Sequence, residues 1–200
     1  MNKVYLYGAG GHAKVIADIL KENSIQVPEI IDDNRTIKEL LGIPVVHNVL
    51  RTPLIVSIGN NNIRRKVVDL LSDTEYSQAI AQSSIISDTV NIGEGTVVMQ
   101  GAILQSCVVV GKHTIINTGS TVDHDCVIHD FVHIAPGCTL CGNVEVGEGA
   151  FIGTGTTIIP GVKIGKWTVV GAGSVIRKDI PDNVMAVGNP CKIYKNINNE

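Results

Sequence analysis

From Ile80 to Ile176 every sixth residue is Ile, Val or Leu, seventeen times running without an insertion. If about a third of residues were such aliphatics, chance would produce this run at roughly one in 10^8, so it is a repeat. A period of six fits neither the 3.6-residue turn of a helix nor the alternation of a half-buried strand. It fits short strands joined at corners. The residue four after each aliphatic is small or β-branched, as at Ser84, Thr96, Ala102, Ser120, Cys126 and Cys138. That position lies two before the next aliphatic, so in extended chain both side chains point to one face. That face must be the interior. Glycine often follows the aliphatic, as at Gly93, Gly111, Gly147, Gly153, Gly165 and Gly171, where the chain leaves the strand and turns. Three six-residue sides give an 18-residue coil, in which residues n and n+18 stack about 4.8 Å apart. Residues 80–176 then make a little over five coils of an all-β parallel solenoid.

The first 78 or so residues follow another grammar. Strands are expected at Lys3–Tyr7, Glu29–Asp32 and Leu54–Ile58, with helices at His12–Glu22 and from about Asn62 to Leu71. Alternating strands and helices imply a small parallel sheet, an α/β Rossmann-like half domain. The chain therefore divides into residues 1–78 and residues 79–200, the solenoid with a C-terminal tail. The net charge of −3 and the lack of a basic run leave no footprint for nucleic acid. Mean hydropathy is +0.23, yet no apolar stretch approaches the ~20 residues of a membrane span. The opening MNKVYLYGAGGHAK lacks a signal-peptide core, so a cytoplasmic protein is expected. Of five cysteines, Cys126 and Cys138 fall in the inward column, where Cys behaves as a small hydrophobe. Cys138 and Cys141 form a C-x-x-C, but without a second pair or a histidine cluster no metal site is expected.

Gly8-Ala9-Gly10-Gly11-His12-Ala13 follows an apolar strand and opens a helix, matching a G-x-G-x-x-G/A turn in its required context. Such glycines let backbone N–H groups approach phosphate oxygens at a helix N-terminus. Asp32 and Asp33 follow about 20 residues later, where an acid can meet a ribose hydroxyl. NAD is rejected, because a dinucleotide spans two such halves and here a solenoid follows one. A nucleotide-sugar pyrophosphate fits better, with His12 donating to it or lying near the acceptor group. A second loop, Ser57–Asn62, ends a predicted strand on the same ligand-binding edge.

His124 and Asp125 fall in a corner, outside the inward columns, so the histidine is free to face a cleft. A neighbouring carboxylate orients such a histidine and raises its basicity. The coil places Gly142, eighteen residues on, directly over His124. A glycine there leaves room for a reactant and offers a backbone N–H as oxyanion donor. His133 lies half a coil further round, so it can meet His124 only across an interface between copies. His129 takes a position where glycine is common and reads as structural or surface. His47 and His113 carry no usable signal.

Together these residues resemble the left-handed β-helix (hexapeptide-repeat) acyltransferases, and within them the bacterial nucleotide-aminosugar N-acetyltransferases and sialic acid O-acetyltransferases. The resemblance rests on the Gly8–Ala13 turn, Asp32-Asp33, Ser57–Asn62, His124–Ile128 and the tail running from Gly171-Ala172-Gly173 to Gly188-Asn189-Pro190-Cys191-Lys192. It implies a left-handed coil, although the general crossover rule would make it right-handed. It also implies a homotrimer with active sites at subunit interfaces and acetyl-CoA as co-substrate. By that resemblance His124 is the general base, Asp125 its partner and Gly142 the oxyanion donor. His133, Gly142, Gly153, Thr154, Gly171, Ala172, Pro190 and Lys192 fall to the coenzyme, and Gly10, Gly11, His12, Asp32, Asp33, Gly59, Asn60 and Asn117 to the nucleotide sugar. The implied reaction is acetyl transfer to the amine of a nucleotide-linked aminosugar, of the UDP-4-amino-4,6-dideoxy kind. The alternatives are O-acetylation of a sialic acid or other sugar hydroxyl, and a non-catalytic sugar-binding solenoid. His129 departs from the family's usual glycine.

Overall fold

A computed structural model describes residues 2–71 and 74–197 of the chain. The N-terminal unit is a five-stranded sheet in the order β3-β4-β2-β1-β5. Its elements are β1 (Tyr5–Tyr7), α1 (Gly11–Glu22), β2 (Ile30–Ile31), β3 (Glu39–Leu40), β4 (Ile43–Val46), β5 (Leu54–Val56) and α2 (Asn61–Leu70). β1 pairs in parallel with both β2 and β5, so the strand order reverses between them. Both helices begin one residue earlier than expected. The β3–β4 hairpin was not anticipated. It is short and contains Pro44, and its second strand joins β2 in parallel through Val45 and Val46, just past the proline, while β3 forms the edge.

Seventeen two-residue strands (β6–β22), from Ala79–Ile80 to Val175–Ile176, then wind through three parallel sheets, the first begun by β6, the second by β7 and the third by β8. Every pairing inside the repeat is offset by 18 residues, as in Leu104↔Val122↔Leu140↔Ile158. The aliphatic column forms the core, with Val122, Ile128, Ile134, Val146, Ile152, Ile158, Val170 and Ile176 all fully buried. The small column lies beside it. Its polar members are satisfied by corner carbonyls: Thr114 Oγ1 donates to His129 O (2.9 Å), Ser120 Oγ to Asn117 O (2.7 Å) and Cys138 Sγ to Gly153 O (3.2 Å). The buried cysteines are thus packing residues, as their column required. At the top, Val184–Val187 (β23) extends the first sheet, and Lys192–Asn196 (β24) returns antiparallel to it. No helix is long and apolar enough to cross a membrane among the described residues.

The two units share a core. Ile16, Ile19 and Leu20 of α1 pack with Val97, Met99 and Ile115 on the outer face of the first sheet, each 2% exposed or less. Burial of such side chains is worth about 2 kcal/mol each. α2 docks differently, along one corner of the solenoid. The residues stacked there are His113, Phe131, Gly149 and Trp167, of which the three non-glycines have φ of 51°, 58° and 54°. Left-handed backbone costs a bulky residue about 1–3 kcal/mol, and here the α2 contacts offset it. Asn61 Nδ2 donates to the carbonyls of Gly149 and Ala150 (3.0 Å each), and the Arg65 guanidinium lies 5.2 Å from the Trp167 ring.

Candidate active site

The glycine turn sits at the reversal point of the sheet, between the loops that follow β1 and β5. Gly8 has φ +109°, and a Cβ there would meet Ile58 Cγ1 at 2.7 Å, so only glycine fits. Gly10 and Gly11 face open space: a Cβ at either would have no neighbour within 4 Å. Gly10 caps α1 without a side chain. Neither α1 nor α2 carries an acidic residue in its first turn. Two helix N-termini with no acidic residue in their own first turns therefore meet at one edge.

Asp32 Oδ2 accepts from Ala9 N–H (2.6 Å) and Oδ1 from Asn34 N–H (2.7 Å). Each oxygen thus helps shape the turn and keeps a second lone pair for a further donor. Asp33 accepts from Tyr7 Oη, whose own pKa is pushed up to about 12 by burial and by that carboxylate. In the second loop Asn60 caps α2 by accepting from Ile63 N–H (3.0 Å), and Ser57 Oγ donates to Gly8 O (2.7 Å). These side chains help build the crevice.

His133 is buried (8% exposed) at the junction of the two units. Thr118 N–H donates to Asn117 Oδ1 (2.8 Å), which directs Asn117 Nδ2 to His133 Nε2 (3.0 Å). His133 Nδ1 therefore carries the proton and donates to Gly59 O (3.2 Å). Both ring nitrogens are engaged, and His133 bridges the solenoid and the crevice loop. The His12 ring lies 6.4 Å from it, with Nε2 buried and lacking a partner among the described residues. Burial lowers both pKa values, to about 3 for His12 and about 4 for His133, with Arg64 adding to the effect. Both imidazoles are neutral at pH 7.

His124 lies at another corner. Asp125 has φ 58°, which curls its carboxylate back onto its neighbour, Oδ2 lying 2.8 Å from His124 Nδ1. Asp123 Oδ1 accepts the His124 N–H (2.8 Å). The bond to Asp125 and the nearby Asp123 charge raise the His124 pKa above its ordinary value. The partner of Nδ1 leaves Nε2 as the basic nitrogen. Gly142 stacks on His124 as the 18-residue coil required, and Asn143 N–H donates to His124 O (2.9 Å). One expectation is corrected here. A Cβ on Gly142 would lie 2.6 Å from His124 Cε1 and 2.7 Å from Nε2, so the imidazole itself, not a reactant, fills the space. Gly142→Ala should push the ring aside. We expect kcat/KM to fall about 100-fold, as displacements near 1 Å do. The melting temperature should shift by only a few degrees, because the half-exposed ring can swing into solvent. Parallel activity and melting measurements check this.

Asn117, Gly153, Thr154, Gly171 and Ala172 gather along a third corner, with Thr154 and Ala172 exposed and joined by Gly173 N–H to Thr154 O (2.8 Å). Gly153 and Gly171 are set by packing: a Cβ at the first would meet Ala172 N at 2.6 Å and at the second Val187 Cγ1 at 2.6 Å. Pro190, after a cis peptide, and Lys192 lie in the β23–β24 connection and the start of β24. His129 is exposed and pairs with Glu145 (3.2 Å), on a face that none of these residues shares. Sequence reasoning missed His113 and Arg64. The bulky residues at left-handed corner positions, where glycine dominates, were the available signal for the first.

Residues 3–71 match the PglD N-terminal domain family, and residues 125–160 and 143–178 match the bacterial transferase hexapeptide (six repeats) family. A variant of perosamine N-acetyltransferase from Caulobacter crescentus, solved with CoA and GDP-perosamine, is 39% identical over 98% of each chain, with a TM-score of 0.92. The acetyltransferase domain of PglB from Neisseria gonorrhoeae, solved with acetyl coenzyme A, is 37% identical over 96% of this chain and all of that one, with a TM-score of 0.89. The UDP-N-acetylbacillosamine N-acetyltransferase of Bacillus subtilis is 39% identical over 112 residues, 50% of this chain and 52% of that one. A mimivirus protein matches over 101 residues, 21% of its length, so these curated relatives are aligned over about half of their length or less.

Proposed function

This chain belongs to the left-handed β-helix, hexapeptide-repeat N-acetyltransferases of nucleotide-linked sugars, and from that premise we propose that it transfers acetyl from acetyl-CoA to the amine of a nucleotide-linked aminosugar. The observation that carries the reading is the His124–Asp125 pair, with Nδ1 held at 2.8 Å and the ring laid on Gly142. His124 Nε2 accepts a proton from the sugar amine as the nitrogen attacks the thioester carbonyl. Asp125 stabilises the imidazolium that forms. The Gly142 N–H, which donates to no group among the described residues, is available to the tetrahedral oxyanion. The imidazolium then returns the proton to the departing CoA sulfur.

The sugar's diphosphate is assigned to the crevice where α1 and α2 begin, and the coenzyme to the corner carrying Thr154 and Ala172. That corner and the His124 corner flank opposite edges of the second sheet within one chain. A neighbouring copy in a homotrimer would bring them together, so we assign the site to the interface between copies, with substrate and coenzyme on different surfaces. A thiol-release assay with UDP-, GDP- and CMP-linked aminosugars, and with hydroxyl acceptors as controls, tests the reading. Turnover of hydroxyl acceptors alone would overturn the amine assignment.

Asp125→Asn supplies a second test. Removal of the carboxylate lowers the His124 pKa, so the base becomes neutral at lower pH. The acidic limb of kcat/KM should move to lower pH, while kcat falls on the order of tenfold or more from lost orientation. An unmoved limb would show that another group is the base.

A further inference from the structure

Arg64 on α2 is 1% exposed, and each of its hydrogen bonds goes to a neutral oxygen. Nε donates to His113 O (2.8 Å); Nη1 donates to Ile58 O (2.9 Å) and Gly59 O (3.3 Å). Nη2 donates to Asn61 Oδ1 (2.9 Å), Phe131 O (2.8 Å) and Val132 O (3.4 Å). Among the described residues no carboxylate pairs with it. A buried cation without a counter-charge is costly, and neutral side chains can dock a helix at lower cost. Holding two units together does not by itself explain the charge.

Its position does. Arg64 bonds the Ile58 and Gly59 carbonyls, which belong to the loop forming one wall of the crevice. Gly59 O also accepts from His133, whose ring neighbours His12 in the opposite wall. The crevice thus has two helix N-termini, a buried guanidinium behind them and, in its loops, the Asp32 and Asp33 carboxylates, which the bonds from Ala9, Asn34 and Tyr7 orient without neutralising and whose charge the guanidinium opposes. We infer that Arg64 is a positioning residue whose buried charge, without touching the ligand, makes this crevice select a diphosphate, while its donor fork sets the spacing of Gly59 and Asn61. The inference rests on the proposal that the crevice takes the diphosphate of a nucleotide sugar.

The test uses the full chain and three probes, UDP, GDP and CoA, by calorimetric titration. Arg64→Met removes the charge with similar bulk. Nucleoside diphosphate affinity should fall on the order of tenfold or more, with CoA affinity within about twofold. Unchanged diphosphate affinity, or a parallel loss for CoA, overturns the inference in favour of docking alone. Should Arg64→Met not fold, Arg64→Lys decides. A buried lysine loses its proton near neutral pH, so UDP affinity should fall between about pH 6 and 9 in the variant and not in the wild type. A pH-independent variant overturns the inference. A wild type that binds CoA but neither diphosphate overturns the nucleotide-sugar reading itself, and this inference with it.

Discussion

His124→Ala should lower kcat/KM by about 10^2- to 10^4-fold, the range that a positioned general base supplies, and leave the fold intact. The stability expectation follows from position. His124 sits in a corner with its side chain 55% exposed and contributes nothing to the aliphatic column. Its backbone carbonyl keeps the bond from Asn143 whatever the side chain. Loss of the imidazole also uncovers Gly142 without creating an internal cavity, since the ring lies on the outside of the coil. The measurement is thiol release under saturating acetyl-CoA, beside a thermal melt of the same preparation. A variant with near-normal turnover would remove His124 from the chemistry. A variant that loses both activity and cooperative melting would place it in the structure instead.

Acid should separate the two units before the solenoid unfolds. His12, His113 and His133 are buried at their junction, and their pKa values are lowered to about 3, 4 and 4, burial being the largest cause in each case. The groups facing them are not all of one sign. His12 faces His133 and Arg64; His133 faces Arg64 and the Gly59 carbonyl; His113 also faces Glu94 and Asp130, which oppose the shift, and Lys112. The folded pKa lies below the unfolded one in each case. Below about pH 6.5 the unlocked junction binds more protons than the packed one, so stability is complete above that pH and is lost as pH falls towards 4. For His113 and His133 the loss is on the order of 3 kcal/mol each when complete. Hydrogen exchange of α2 and of residues 113–133, followed from pH 7 to pH 4, should show the junction opening while the upper coils stay protected. Equal protection at both pH values would contradict this account. His113→Phe, which keeps the ring between Tyr76 and Phe131, should reduce the acid sensitivity.

The solenoid was legible because its information is local and repeated. Each inward position is specified by the same two residue classes at the same spacing, so the columns, the 18-residue register and the placement of Gly142 over His124 follow from counting. The glycine turn was legible for a related reason: Gly8 needs a backbone conformation that other residues pay to adopt, and it needs it within one loop. The β3–β4 hairpin was not legible, since a two-residue strand and a four-residue strand interrupted by Pro44 carry no period. Asp32 is a subtler case: its spacing pointed to a ligand, whereas its bond from Ala9 N–H, which shapes the turn, is visible only in the structure.

By itself, the sequence determined a coil of known pitch with its interior, its corners and one histidine–carboxylate pair. The hand of the coil did not follow from the period, because six-residue sides stack equally in either sense, and kinship supplied it. The tertiary structure alone decided which corner receives α2, why His113, Phe131 and Trp167 replace glycine there, and how Arg64 reaches backbone carbonyls 49 and 67 residues away. The same holds for His133, which Gly59 and Asn117 hold at the junction of the two units. The physical reason is that a repeat stacks on itself and so writes its contacts into every turn. A docking surface joins two unlike units through single, unrepeated contacts to backbone atoms, and backbone carbonyls look alike in every sequence.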